Sequence, residues 1–232
     1  MTGLPQFALG YIRAHVMIAE FAESLLRLQS YDFVNWRCLC GRIVPHHCGL
    51  YLNHGRNEWL KKVLRDHAET CPVVVSVDTD NLFTPEQVFH LVSLCTDEHP
   101  IVSALYFICD QYGKQHRPLL VKRRPDDSFE TIWEYQADTL VPSDVVGMGF
   151  CAMRTKLLME YGEKHGGTWF DFDKTKAGTF LPEDTAFSFR MKDLMGVQPM
   201  VHTGIIVGHM KYVDVREPKK AQPNNGRSIP AR

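Results

Sequence analysis

No apolar run in this chain approaches the ~20 residues needed to cross a bilayer, and Met1 to Gly10 lack the charged and apolar regions of a signal peptide. A cytoplasmic protein with no membrane partner is the expectation. Charge of one sign is lacking too: 26 Lys and Arg against 27 Asp and Glu leave a net charge of -1, so there is no global attraction to nucleic acid and any basic stripe has to be local. A disulfide framework is not indicated either. The seven cysteines are an odd number, and Cys71, Cys95, Cys109 and Cys151 lie in or beside apolar segments where reduced, buried thiols commonly sit. No internal repeat and no glycine-rich basic loop near the N-terminus are visible.

What is present is an ordinary globular composition. An apolar share of 44% supplies enough surface for a packed sheet with helices around it, and 232 residues suit one α/β core. The expected division is one domain over residues 1–215 and a flexible, proline-rich, basic tail over 216–232.

Hydrophobic spacing organises the rest. Ile18, Phe21, Ala22, Leu25 and Leu28 fall at helical intervals within Ala14 to Leu28, and Leu60, Val63, Leu64 and His67 do so within Glu58 to His67. Val73-Val74-Val75-Ser76-Val77 is β-branched without alternation, as in a strand covered on both faces. Thr84-Pro85-Glu86 reads as an N-cap, an N1 proline and a first-turn acid leading another helix. Ile101 to Phe107 is a second buried strand, and the stretches around Leu119-Leu120-Val121 and Thr131-Ile132-Trp133 flank a turn as a hairpin. Val145 to Met153, with Gly147 and Gly149, reads as a strand running into a helix at Thr155. Glu183 to Leu194 is a further helix, and Val201 to Val207 a last strand. Strands alternating with amphipathic helices predict a single α/β domain with a mostly parallel, doubly covered central sheet.

Several residues carry chemistry. In an extended segment Asp78 and Asp80 project to one side and can share a hard divalent cation, and they follow the carboxyl end of a buried strand, where open α/β sheets bind ligands. Asp171-Phe172-Asp173 has the same pattern within a loop. Glu183 and Asp184 open a helix, where the macrodipole favours acids with or without a further role. His209 follows an apolar strand and a glycine. Cys38, Cys40, His46, His47 and Cys48 lie within eleven residues but match no standard zinc spacing, so a loop is the default there.

The order of these features is what distinguishes the chain. A strand ending in Asp78-x-Asp80, then Gly147-x-Gly149-Phe150, an aromatic loop at Trp169, the Glu183-Asp184 pair and His209 closing a final strand together resemble the GT-A glycosyltransferases. More narrowly, the chain is similar to the short family-2-like enzymes that phage genomes encode, and Gly55-Arg56-Asn57 is similar to an Ala-Arg-Asn stretch preceding the Asp-x-Asp strand in such families. The resemblance spans roughly residues 5 to 213, and departs from the pattern at Pro182, where many relatives have glycine. It implies a Rossmann-like GT-A domain that moves a sugar from a nucleotide diphosphate sugar, with UDP as the expected carrier, to an acceptor hydroxyl. Asp78, Asp80 and His209 would hold a divalent cation, Mn²⁺ in preference to Mg²⁺ because of the nitrogen ligand. Arg56, Asn57, Asp78, Gly147 and Gly149 would bind the donor; Asp184 would be the base with Glu183 beside it, and Trp169 would border the acceptor. The acceptor candidates are a hydroxymethylated DNA base and a Ser or Thr of a virion protein. Lys122-Arg123-Arg124 and the basic residues of the tail, Arg216, Lys219, Lys220, Arg227 and Arg232, are the local charges that favour DNA. Two alternatives remain: a HAD-like phosphatase using Asp78 as nucleophile, though Leu82 departs from its pattern, and a non-catalytic sugar-nucleotide-binding module.

Overall fold

The computed structural model describes residues 4–13, 17–49, 51–109 and 116–210. The chain starts with β1 (Phe7–Arg13), α1 (Ala19–Asn35), β2 (Ile43–His47) and α2 (Leu52–His67). Then come β3 (Val73–Asp78), β4 (Asn81–Leu82), α3 (Pro85–Leu94) and β5 (Ile101–Leu105). Short strands β6 (Phe107–Cys109), β7 (His116–Pro118), β8 (Val121–Arg123), β9 (Phe129–Thr131) and β10 (Leu140–Pro142) lead to β11 (Phe150–Arg154) and α4 (Thr155–His165). The remainder is β12 (Asp173–Lys174), β13 (Phe180–Leu181), α5 (Glu183–Met195), β14 (Met200–Ile206) and β15 (Gly208–His209).

One seven-stranded sheet, in the order β10-β14-β5-β11-β3-β1-β2, organises these elements. Strands β1, β2, β3, β5 and β14 share a direction, while β11 and β10 run against them. Both faces are covered, which is why β3 shows no alternation. Val73, Val75 and Val77 pack with Phe21 of α1 and Leu91 of α3, whereas Val74 faces Trp59 of α2, Leu158 of α4 and Phe187 of α5. Helix α3 is set by a full capping box, with the Thr84 hydroxyl accepting from the Gln87 N–H and the Gln87 side chain accepting from the Thr84 N–H.

The structure departs from the sequence reading in several places, α2 for one starting at Leu52 rather than Glu58. Helix α1 continues past Leu28 to Asn35, because the Asp32 carboxylate accepts the N–H groups of Cys38, Leu39 and Cys40 at 2.7, 3.0 and 2.9 Å and so fixes the turn that follows. The segment 38–48 is not all loop, since β2 pairs with β1 as the sheet's edge strand, a place that tolerates Pro45. Residues 145–149 are buried but irregular, and the strand starts only at Phe150. Here a Cβ at Gly147 would overlap the Tyr106 hydroxyl and one at Gly149 would press on Asn81, so remote side chains close in on these glycines. The hairpin strands lie two residues closer to the turn than expected, at β8 and β9. Residues 216–232 lie outside the described residues.

Candidate active site

The C-terminal edge of the sheet collects the polar groups. Strand β3 ends in Asp78, β5 runs into Tyr106, and antiparallel β11 starts at this same edge, so the Gly149 carbonyl accepts both the Asp78 N–H at 2.8 Å and the Asn81 Nδ2–H at 2.9 Å. Asn81 is thereby locked beneath the Asp-x-Asp loop. Short β4 then pairs with β15, which sets His209 opposite Asn81, and the Met210 N–H donates to the Asp80 carbonyl at 2.8 Å. The final strand is therefore held against the acidic loop by its backbone. The side chain of His209 lies outside the described residues.

Arg56 is the centre of charge. It stands in the first turns of α2 with only 4% of its side chain exposed, placing Nη2 at 3.3 Å from both Asp78 carboxylate oxygens and Nε 3.2 Å from Glu183 Oε1. One guanidinium thus ties the Asp-x-Asp strand to the start of α5. Burial alone would favour loss of the guanidinium charge, but Asp78, Glu183 and Asp184 around it hold the proton in place. Asp184 behaves oppositely. Burial pushes its carboxyl above the usual carboxylate range, and the charges of Glu183 and Asp78 add to this against Arg56 and the Thr185 N–H, which donates to Asp184 Oδ1 at 2.7 Å. Such a carboxyl is a better proton acceptor than an ordinary one. Burial, Asp184 and Asp78 likewise hold the Tyr106 phenol well above its ordinary value, so it stays a hydroxyl.

A cavity of about 450 Å³ opens at this edge. Asp78, Asp80, Asn81, Gly149, Asp184 and Thr185 line its polar part, and Tyr106, Ile108, Leu119, Val121, Phe129 and Val145 line the rest, with Arg117 and Pro182. Sequence reasoning missed Asn81, Tyr106 and the apolar wall, because only the pairing of β11 with β3 and of β8 with β9 brings them here. The adjacency of Asn81 to Asp80 was the available signal for the first.

Among the described residues, no three His, Cys, Asp or Glu side chains are grouped to hold a metal ion. Asp78 and Asp80 nevertheless share the cavity with Asn81, whose buried Oδ1 has no hydrogen-bond partner. These are the hard oxygen donors that Mg²⁺ or Mn²⁺ takes, and they leave coordination positions for a phosphate ligand. Asp78, Asp80 and Asn81 thus fit part of the coordination shell of a divalent cation. At the cysteine cluster the thiols turn to backbone instead, Cys38 to the Leu4 carbonyl at 3.5 Å and Cys40 to the Arg37 carbonyl at 2.6 Å.

Three expected roles need correction. Asn57 does not reach the cavity: its Oδ1 accepts the N–H groups of Trp169 and Phe170 at 2.8 and 2.9 Å and its Nδ2 donates to the Phe170 carbonyl at 3.2 Å, so its polar atoms tie α2 to that loop. Trp169 is core rather than an acceptor border. It is 4% exposed, donates from Nε1 to the Leu158 carbonyl at 2.8 Å and packs with Tyr161 and Phe187. Gly147 makes room for Tyr106, not for a ligand. The local basic run is also largely spent within the fold. Arg123 pairs with Asp127 and Asp193 at 2.7 and 2.6 Å and lies 3.8 Å over the Phe189 ring, while Arg124 stands 3.5 Å from Glu130.

No protein-family model matches the sequence, and no curated protein does so. Among solved structures the chain is similar to A197 from STIV, at 13% identity over 90% of this chain and 86% of that one, with a TM-score of 0.54. It is also similar to the crystal structure of GalNAc-T7 with UDP, GalNAc and Mn²⁺, at 11% identity over 92% of this chain and 45% of that one, with a TM-score of 0.61. At such identities the likeness speaks for the fold, which is GT-A. No helix among the described residues is long and apolar enough to cross a membrane.

Proposed function

On this GT-A scaffold we propose that the chain is a glycosyltransferase, moving a sugar from a nucleotide diphosphate sugar to an acceptor hydroxyl. One observation carries the reading: Asp78, Asp80 and Asp184 line a single cavity at the carboxyl edge of the sheet, and a buried arginine joins the first of them to Glu183, the neighbour of the last. Asp78 and Asp80, with His209, would hold the divalent cation, Mn²⁺ in preference to Mg²⁺. When bound, the cation supplies positive charge against the leaving diphosphate. UDP is the proposed carrier, in keeping with the UDP and Mn²⁺ of the GalNAc-T7 structure.

The chain's own residues do the remainder. Asp184, raised towards neutrality by burial, takes the acceptor proton as the hydroxyl oxygen bonds to the sugar carbon and the diphosphate departs with its electron pair. Glu183, fixed by Arg56, keeps its carboxylate out of that reaction and helps hold the start of α5 against β3. Gly149 keeps Asp78 and Asn81 at a set height by accepting from both. The phosphatase reading is weaker at this point, because Asp184, which shares the cavity with Asp78, has no task in it.

The test is incubation with Mn²⁺ and a panel of nucleotide sugars, followed by nucleotide release. Slow, metal-dependent donor hydrolysis that disappears in Asp80→Ala supports a transferase. Release of orthophosphate from aryl phosphates, with no turnover of any nucleotide sugar, would support the phosphatase.

A further inference from the structure

The cavity is chemically two-sided, with the acids on one part of its lining and mostly apolar side chains on the other. Ile108, Leu119, Val121, Phe129 and Val145 form a continuous apolar wall beyond the acids. This wall is built, not incidental. Val121 and Val145 belong to a small separate core with Leu181, Ala186 and Phe189, the last two on α5, whose first turn presents Asp184. Phe129 is 38% exposed, and its ring is backed by Phe189 at 5.9 Å, which in turn carries the Arg123 guanidinium at 3.8 Å. The Asp127 carboxylate adds a tie by accepting the Lys176 N–H at 3.0 Å, so the β8–β9 turn is fastened to the segment between β12 and β13. A ring tilted at 55° against Phe189, tied down by its turn and lining the cavity, is a platform for another flat ring.

A pyranose does not suit that wall. Among the described residues most of its hydroxyls would meet the five apolar side chains, with Tyr106 and Arg117 the polar groups lining that part, and buried hydroxyls left unpaired weaken binding strongly. The space is also limited. At about 450 Å³ the cavity falls in the range of small-molecule pockets (~300–1,000 Å³), room for a single group of an acceptor beside the acids.

We propose that the acceptor hydroxyl is borne by a flat aromatic or heteroaromatic ring, seated on Phe129 with its hydroxyl turned to Asp184. This rests on the glycosyltransferase reading of the same cavity. Tyr106 gives the ring one polar neighbour at the junction of the two sides, and Arg117, exposed on β7, stands among the lining residues where an anionic group on the acceptor would be met.

The experiment measures binding by saturation-transfer NMR on the full chain without donor or metal. The probes are benzyl alcohol, a hydroxymethylpyrimidine nucleoside and methyl glucoside. The two ring alcohols are expected to receive saturation and methyl glucoside is not; Phe129→Ala should weaken ring binding about tenfold or more and Phe129→Tyr should retain it, with thermal melts checking that both variants fold. A stronger signal from the nucleoside than from benzyl alcohol identifies a nucleobase as the source of the ring, and the reverse a free aromatic alcohol. Binding of methyl glucoside in preference to both rings, or ring binding indifferent to Phe129→Ala, overturns the proposal. Subsequent addition of Mn²⁺ and donor separates the two ideas: ring binding without any sugar transfer contradicts the transferase reading alone, while transfer to a saccharide with the rings unbound contradicts the acceptor proposal alone.

Discussion

Replacing Arg56 by methionine asks whether one guanidinium is what lets three carboxylates crowd the carboxyl edge of the sheet. Arg56 and Glu183 expose only 4% and 10% of their side chains, so the substitution leaves a nearly buried carboxylate without its counter-charge. Breaking a buried pair from one side costs ~3–5 kcal/mol. The Asp78 contact adds little, because that side chain is 33% exposed and water screens it. About 3 kcal/mol near neutral pH is therefore the expected loss, against a total stability of ~5–15 kcal/mol. The variant should fold, with a melting temperature lower by roughly 6–12 °C for a chain of this size. The pH dependence has a definite sign. Burial already raises the Asp184 carboxyl and Arg56 is the charge that opposes this, so without the guanidinium the folded state binds the Asp184 proton still more tightly than the unfolded chain does, and stability is retained at low pH and lost as pH rises through the elevated folded value. The gap between wild type and variant should thus narrow from about pH 7.5 to about pH 4.5, the latter close to ordinary carboxylate values. Replacing both partners, in Arg56→Met with Glu183→Leu, should recover part of the loss, since Glu183 is then no longer stranded while Asp184 still lacks the guanidinium. Thermal unfolding followed by circular dichroism measures all of this. A penalty below ~1 kcal/mol at neutrality, or one independent of pH, would refute the reasoning.

The remaining predictions concern the proposed base and its supports. Asp184→Asn should leave nucleotide affinity nearly unchanged and lower turnover by ~10²-fold or more, and in the wild type the rate should rise with pH through a midpoint above the usual carboxylate range, because only the deprotonated form accepts a proton. The same variant should be more stable near neutrality by about 1 kcal/mol, as the fold disfavours charge at that position; a less stable Asn protein contradicts the electrostatic account. Gly147→Ala should cost ~1–3 kcal/mol through collision with the Tyr106 hydroxyl, and Tyr106→Phe in that background should return part of it, as a double-mutant cycle can measure. Asn57→Ala should cost about 2–4 kcal/mol by stranding three backbone groups of Trp169 and Phe170 while leaving nucleotide affinity intact; calorimetry showing lost affinity without lost stability would return Asn57 to the donor site.

Elements that declare themselves by local chemistry were legible in the sequence. The unbroken β-branched run of β3, the Thr84-Pro85 start of α3 and the Glu183 start of α5 each follow from neighbouring residues alone. Strand β1 was not legible. Gly10 interrupts it, and the reason is remote, since a Cβ there would overlap the Trp59 indole of α2. The antiparallel insertion of β11 between β3 and β5 was equally hidden, because strand direction leaves no mark on composition. Asp78, Asp80 and Asp184, singled out by order and spacing, line one cavity, whereas Trp169 and Asn57 lie away from it. An aromatic loop and an Ala-Arg-Asn-like stretch look the same in one dimension whether they face a ligand or each other, and here they face each other. The apolar wall around Phe129 depends on hairpin register and on Phe189 behind it, sixty residues on, so no local pattern announces it.

The central claim is that the Asp-x-Asp acids and a donor diphosphate complete one another's cation site. Isothermal titration of the chain with UDP, with and without Mn²⁺, tests it most directly, since the acids offer only part of a coordination shell and neither ligand should bind well alone. The account predicts that Mn²⁺ strengthens UDP binding at least tenfold and that Asp80→Ala abolishes the gain while the protein stays folded. UDP affinity that is unchanged by Mn²⁺, or full metal-dependent binding by the Asp80→Ala protein, would contradict it.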